Sequence, residues 1–135
     1  MRIVALDYGS KRIGVAVSDP LGLIAQPVAT LDTDQAIPQL QALLAKYDRI
    51  DEIVVGLPKR LSGELGPAAD KVQAFVAQLQ QTLTVPVTTY DERLTTAAAE
   101  RTLIEAGLSR QKRRQVIDRS AAAHILQDYL DRRKK

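Results

Sequence analysis

Four apolar residues, Ile3-Val4-Ala5-Leu6, run without a break into an aspartate, Asp7. A continuous apolar run this short is the pattern of a strand covered on both faces, in the interior of an α/β sheet. The acid that ends it stands where open α/β sheets gather their ligand sites, at the carboxyl end of a strand. Asp7-Tyr8-Gly9-Ser10 then reads as a turn, and Ile13–Val17 as a second strand antiparallel to the first. Gln26–Leu31 reads as a third strand, with Pro27 confined to an edge or a strand start.

From there strands and helices alternate. Thr33 or Asp34 caps a helix carrying Ile37, Leu40, Leu44 and Tyr47, with Pro38 in its first turn. Ile50–Leu57 is a fourth strand. A polar loop over 59–66 leads to Pro67, which opens a helix with Val72, Phe75, Val76, Leu79 and Leu83 on one stripe. Val85–Tyr90 is a fifth strand. Thr95 or Thr96 begins a helix that stops at Gly107, and Ser109 begins the last helix, running to about Leu130. The order β-β-β-α-β-α-β-α-α predicts an α/β fold: a five-stranded mixed sheet, a three-strand antiparallel meander plus two parallel strands, flanked by helices. At 135 residues the expectation is one domain over 1–135, with a frayed basic tail from about 131 to 135.

Composition narrows the chemistry. With no cysteine and a single histidine, thiol chemistry, disulfides and zinc sites of Cys or multiple His are excluded. A metal here is held by oxygen, which selects Mg²⁺ or Mn²⁺. No apolar run reaches the roughly 18 residues of a membrane span, and the first residues have no signal-peptide layout, so the expected location is cytoplasmic with no membrane partner. Charge is uneven: residues 109–135 hold nine Lys/Arg against three Asp, and the remainder ten against thirteen acids. A basic C-terminal quarter on a slightly acidic body points to a polyanion partner or to a solvated helix face.

Three acids are placed to converge. Asp7 and the Asp91-Glu92 pair each follow a strand. Asp118 lies in a helix whose i+3, i+4 and i+7 neighbours are Ala121, Ala122 and Ile125, the apolar, small-residue face. Burying an unpaired carboxylate costs several kcal/mol, and a divalent cation offsets that cost. Two strand ends and one inward helix position form the constellation of two-metal phosphoryl transfer, with cations about 4 Å apart. Each acid also has an ordinary reading: Asp7 as a turn former, Glu92 paired with Arg93 or Arg101, Asp118 bridged to Arg114. Asp19 reads as a turn former with Pro20, and His124 as a structural residue one turn from Asp128. The Asp-x-Gly-Ser turn is like the phosphate loop of actin-like ATPases, but those need two such domains, and no P-loop or dinucleotide glycine pattern is present.

Ala5-Leu6-Asp7-Tyr8-Gly9-Ser10-Lys11-Arg12-Ile13-Gly14-Val15-Ala16 resembles the opening signature of the YqgF/RuvX family. Ser18-Asp19-Pro20, Val54-Val55-Gly56-Leu57-Pro58, Asp91-Glu92-Arg93-Leu94-Thr95-Thr96, Ala106-Gly107-Leu108-Ser109 and Asp118 with Ala121, Ala122, Ile125 and Leu126 match its later blocks. The resemblance spans nearly the whole chain. It implies an RNase H-like fold related to the RuvC-type junction resolvases, and a nuclease acting in 5′-end maturation of 16S rRNA. The family's acidic positions fall on Asp7, Glu92 and Asp118. Related resolvases carry an acid after the fourth strand, where this chain has Gly56-Leu57-Pro58, so the second acid comes from Glu92.

Three functions are open at this stage. The first is an Mg²⁺- or Mn²⁺-dependent phosphodiesterase on pre-16S rRNA, with Asp7, Glu92 and Asp118 catalytic and metal-holding. Its phosphates would lie along Lys11, Arg12, Lys59, Arg60, Arg93, Arg110, Arg113 and Arg114, with Lys112 extending the track. The second is a resolvase of four-way DNA, which requires a dimer. The third is a non-catalytic RNA-binding factor. The oligomeric expectation is a monomer or a homodimer.

Overall fold

In a computed structural model, residues 1–57, 66–91, 107 and 110–133 are described, 110–120 by backbone alone. The elements are β1 (Ile3–Tyr8), β2 (Arg12–Ser18), β3 (Ala25–Asp32), a 3-10 turn (Thr33–Gln35), α1 (Ala36–Leu44), β4 (Glu52–Leu57), α2 (Pro67–Thr82), β5 (Val87–Asp91) and α3 (Arg110–Arg133). They form a five-stranded mixed sheet in the order β3-β2-β1-β4-β5. β1, β2 and β3 are an antiparallel meander, and β4 and β5 run parallel to β1. This is the expected RNase H-like architecture, with β1 at the centre.

Strand alternation divides the core in two. Val4, Leu6, Val15, Ile53 and Val55 point to one face, under α1 and α2. Ile3, Ala5, Ala16 and Val54 point to the other, under Ala122, Ile125, Leu126 and Leu130 of α3. Successive β1 residues thus serve different cores, which is why its sequence is continuously apolar rather than alternating.

α3 is fastened at its C-terminal end by two tyrosine–carboxylate–arginine groups. Glu52 of β4 accepts from Tyr129 Oη at 2.7 Å and from Thr88 Oγ1 at 3.2 Å, and binds Arg133 Nη1 at 2.7 Å. Asp128 accepts from Tyr90 Oη and pairs with Arg132 at 3.1 Å. The Tyr90 and Tyr129 rings meet edge to face at 5.8 Å. Burial first, then the carboxylate each donates to, pushes both phenols above the usual tyrosine range. Residues 131–133 are therefore helical and held, where fraying was expected: the sequence near the terminus does not reveal a partner 81 positions away. Asp128 pairs with Tyr90 and Arg132, which takes the place of the expected His124 contact.

Other boundaries moved for local reasons. β1 continues through Asp7 and Tyr8, which pair with Gly14 and Ile13, so the turn begins at Gly9. No side chain caps α1; a 3-10 turn leads into it, and Thr33 Oγ1 instead donates to the Gly9 carbonyl at 2.8 Å. Pro27 sits on the edge strand β3, beside a register shift opposite Val15 and Ala16. Asp19 is the expected turn former: its Oδ1 accepts from the Leu23 and Ile24 amides, both at 2.7 Å, and these bonds hold its carboxyl below the usual range. The expected helix over 95–106 lies outside the described residues. Gly107, its expected stop, has φ +80°, the left-handed conformation common after a helix end. Among the described residues no helix is long and apolar enough to cross a membrane.

Candidate metal and nucleic-acid site

Because β1, β4 and β5 are parallel, their carboxyl ends, at Tyr8, Leu57 and Asp91, share one edge of the sheet. Asp7 follows Ile3 and Ala5 in the alternation and so stands on the α3 face. It is partly buried. Its β2 partner is Gly14. On the other side, one step beyond the Leu6–Val55 pair, its β4 neighbour is Gly56. A carboxylate on the central strand is thereby flanked by two residues with no side chain.

Gly14 also sets the distance to the helix. A Cβ built on it would lie 3.8 Å from the Asp7 Cβ and 3.7 Å from the Ala122 Cβ. Strand and helix therefore approach closely beside Asp7, with Gly14 as the residue that permits it. Glycine inside a strand marks such a close approach, and Gly14 is the signal of it in the sequence.

The course of α3 places Asp118. Ala122 lies over Gly14, while at the far end Arg133 reaches Glu52 and the Met1 sulfur. The helix thus runs from the Asp7 end of the sheet to the opposite end. Asp118 precedes Ala122 by one turn, about 6 Å of rise, so its backbone is at the Asp7 end. Its side chain is outside the described residues, as are those of Arg110, Arg113 and Arg114. Glu92, Lys59, Arg60 and Arg93 lie outside them entirely; Glu92 follows Asp91, the last paired residue of β5. Lys11, in the β1–β2 turn, and Arg12, the first residue of β2, are exposed and close to Asp7 along the chain. Asp19 is at the opposite edge, as its strand direction requires.

The donor set suits a hard divalent cation. It offers a partly buried carboxylate at a strand end, in a chain with no cysteine and a single histidine. Among the described residues no group of three acids or histidines is gathered; two of the three expected carboxylates are not among them.

The turn that presents Asp7 has a steric requirement of its own. A Cβ on Gly9 would collide with the Arg12 carbonyl oxygen. We expect Gly9→Ala to cost roughly 1–3 kcal/mol, the usual range for overpacking, read as a lower urea midpoint. An unchanged midpoint would contradict the turn geometry.

A mixed sheet with an acid at the end of its central strand, and a helix closing over that acid, defines an RNase H-like phosphoryl-transfer fold. The family model described as "RuvX: Holliday junction resolvase" matches residues 1–132. A protein of Moorella thermoacetica named "Putative pre-16S rRNA nuclease" is 53% identical over 134 residues, covering 98% of this chain and 96% of its own. Proteins of the same name from Clostridium kluyveri and Listeria innocua are 47% and 48% identical, each with at least 97% of both chains covered. The chain belongs to the YqgF/RuvX family.

Proposed function

We propose that this chain is a pre-16S rRNA nuclease, hydrolysing phosphodiester bonds with a divalent cation in 5′-end maturation of 16S rRNA. We further propose that residues 1–135 act as one nuclease domain. The observation that carries the reading is the place of Asp7, partly buried at the carboxyl end of the central strand and on the face that α3 covers. The names of relatives that match almost end to end support the RNA substrate.

Asp7, Glu92 and Asp118 would hold Mg²⁺ or Mn²⁺. Bound there, the cation would supply Lewis-acid polarisation of the phosphoryl group and activation of the attacking water. The chain's own residues position the substrate. Lys11 and Arg12 present two cations beside β1 for flanking phosphates. Lys59, Arg60, Arg93, Arg110, Arg113 and Arg114 extend the basic track. α3, fixed at its far end by Tyr129 and Arg133 on Glu52 and by Asp128 on Tyr90, holds the Asp118 turn over the sheet.

The test is cleavage of a 5′-extended 16S precursor by pure protein. Cleavage is expected with Mg²⁺ or Mn²⁺ and should stop on chelation. A four-way DNA junction is assayed in parallel, with the mass in solution measured. Symmetric junction cutting by a dimer that leaves the precursor intact would overturn the assignment. So would RNA binding that persists under chelation without cleavage under any metal.

A further inference from the structure

The sheet face opposite Asp7 carries a second concave site. A cleft of about 320 Å³ opens between α1 and α2, bordered by Tyr8, Asp34, Ile37, Lys71, Phe75 and Gln78. Its volume falls at the lower end of the roughly 300–1,000 Å³ of small-molecule sites. The half-buried Tyr8 ring borders it, backed by the buried Phe75 ring 5.1 Å away and tilted by 47°. The chain has only five aromatic residues, and two of them meet here. Around the rings stand a carboxylate, an ammonium and an amide. Among the described residues no hydrogen bond or ion pair engages the side chains of Asp34, Lys71 or Gln78.

We propose that this cleft binds an unpaired nucleotide of the RNA beside the cut, an inference that rests on the nuclease function proposed above. Tyr8 is the residue after Asp7, and the two side chains leave β1 on opposite faces. A single strand crossing the end of β1 can therefore set its scissile phosphate on the Asp7 face and a neighbouring base on the Tyr8 face. Each group in the cleft matches a part of a nucleotide. The Tyr8 ring, with Phe75 behind it, suits the face of an unstacked base. The Lys71 ammonium pairs with a phosphate. The Asp34 carboxylate accepts from an exocyclic amine, as carboxylates do from cytosine N4. Adenine, guanine and cytosine carry such an amine and uracil does not, so the cleft disfavours uracil. A divalent cation does not suit it, since the lining offers a single carboxylate and also an ammonium.

The experiment titrates the isotope-labelled full chain with short single-stranded oligo-A, oligo-C and oligo-U RNAs under chelation, reading amide shifts by NMR. Shift changes at Tyr8, Lys71 and Gln78 are expected, with oligo-A and oligo-C binding more tightly than oligo-U. Asp34→Asn should erase that preference. Lys71→Gln should weaken all three alike and lower the salt slope by about 1. Shifts confined to other surfaces, or a preference unchanged in Asp34→Asn, overturn the cleft. Precursor cleavage by the same wild-type preparation separates the two proposals. Cutting without nucleotide in the cleft leaves the nuclease standing alone. Nucleotide in the cleft without cutting under Mg²⁺ or Mn²⁺ overturns the nuclease and leaves an RNA-binding cleft.

Discussion

Asp7→Asn should reduce metal-dependent RNA cleavage by roughly three decades while leaving the fold in place. The size follows from the role proposed for the carboxylate. Charge stabilisation by a catalytic cation is worth several kcal/mol, and each 1.4 kcal/mol or so is a tenfold change in rate. Asparagine keeps the shape of the side chain, and its partner in β2, Gly14, has no side chain to clash with it. A readout other than activity is available. A ligand that binds only the native state raises its stability, so Mn²⁺ should raise the wild-type Tm and leave that of Asp7→Asn nearly unmoved. Cleavage at the wild-type rate, or an equal Mn²⁺ shift in both proteins, would remove Asp7 from the site.

The second large effect concerns the helix. Ile125→Ala should destabilise the protein by about 2–5 kcal/mol, the range for deleting a buried aliphatic side chain and leaving a cavity. Ile125 is 1% exposed and packs in the core that α3 shares with Ile3, Ala5, Ala16 and Val54. A loss in that range should lower the Tm by roughly 10 °C or more. Ile125 lies one turn past Ala122, so the same substitution loosens the helix where it closes over Asp7, and cleavage should fall even at temperatures where the protein is folded. Ile125→Val, which removes one methyl group, should cost only about 0.5–1.5 kcal/mol. A calorimetric loss below about 1 kcal/mol for the alanine variant would mean that α3 is not seated on the sheet as described.

Much of this arrangement was legible in the residues, because local pattern and burial agree. The unbroken Ile3–Leu6 run announced a strand with two covered faces, and β1 is central with a core on each side. The stripe on α2 was legible for the same reason: Val72, Phe75, Val76 and Leu79 recur at helical spacing and are buried. What was not legible depends on partners distant in sequence. Arg133 looks like a solvated tail residue until Glu52 is beside it. His124 and Asp128 are spaced to pair, but Tyr90, 38 positions away, donates to Asp128 instead. The carboxylate set was read partly from strand ends and partly from the resemblance. Asp7 and the backbone of Asp118 lie at the same end of the sheet, and Glu92 is outside the described residues. The cleft between α1 and α2 left no trace in the sequence, since Tyr8 reads there as a turn residue and Phe75 as part of an apolar helix stripe.

The order of the elements has a consequence for the chain while it is being made. The core beneath α3 joins the earliest residues, Ile3, Ala5 and Ala16, to residues of the last helix, Ile125, Leu126 and Leu130. A nascent chain can assemble the meander, β4 and the α1–α2 layer while one side of its sheet is still bare and apolar. During that interval Asp7 lacks the helix that closes over it, so the nuclease should be inert until α3 has been made. A ribosome that stalls before α3 leaves a product that is inactive and also exposes a greasy sheet face. Such a fragment is a natural target for chaperones and proteases, and an unfinished enzyme is kept from acting on the RNA around it.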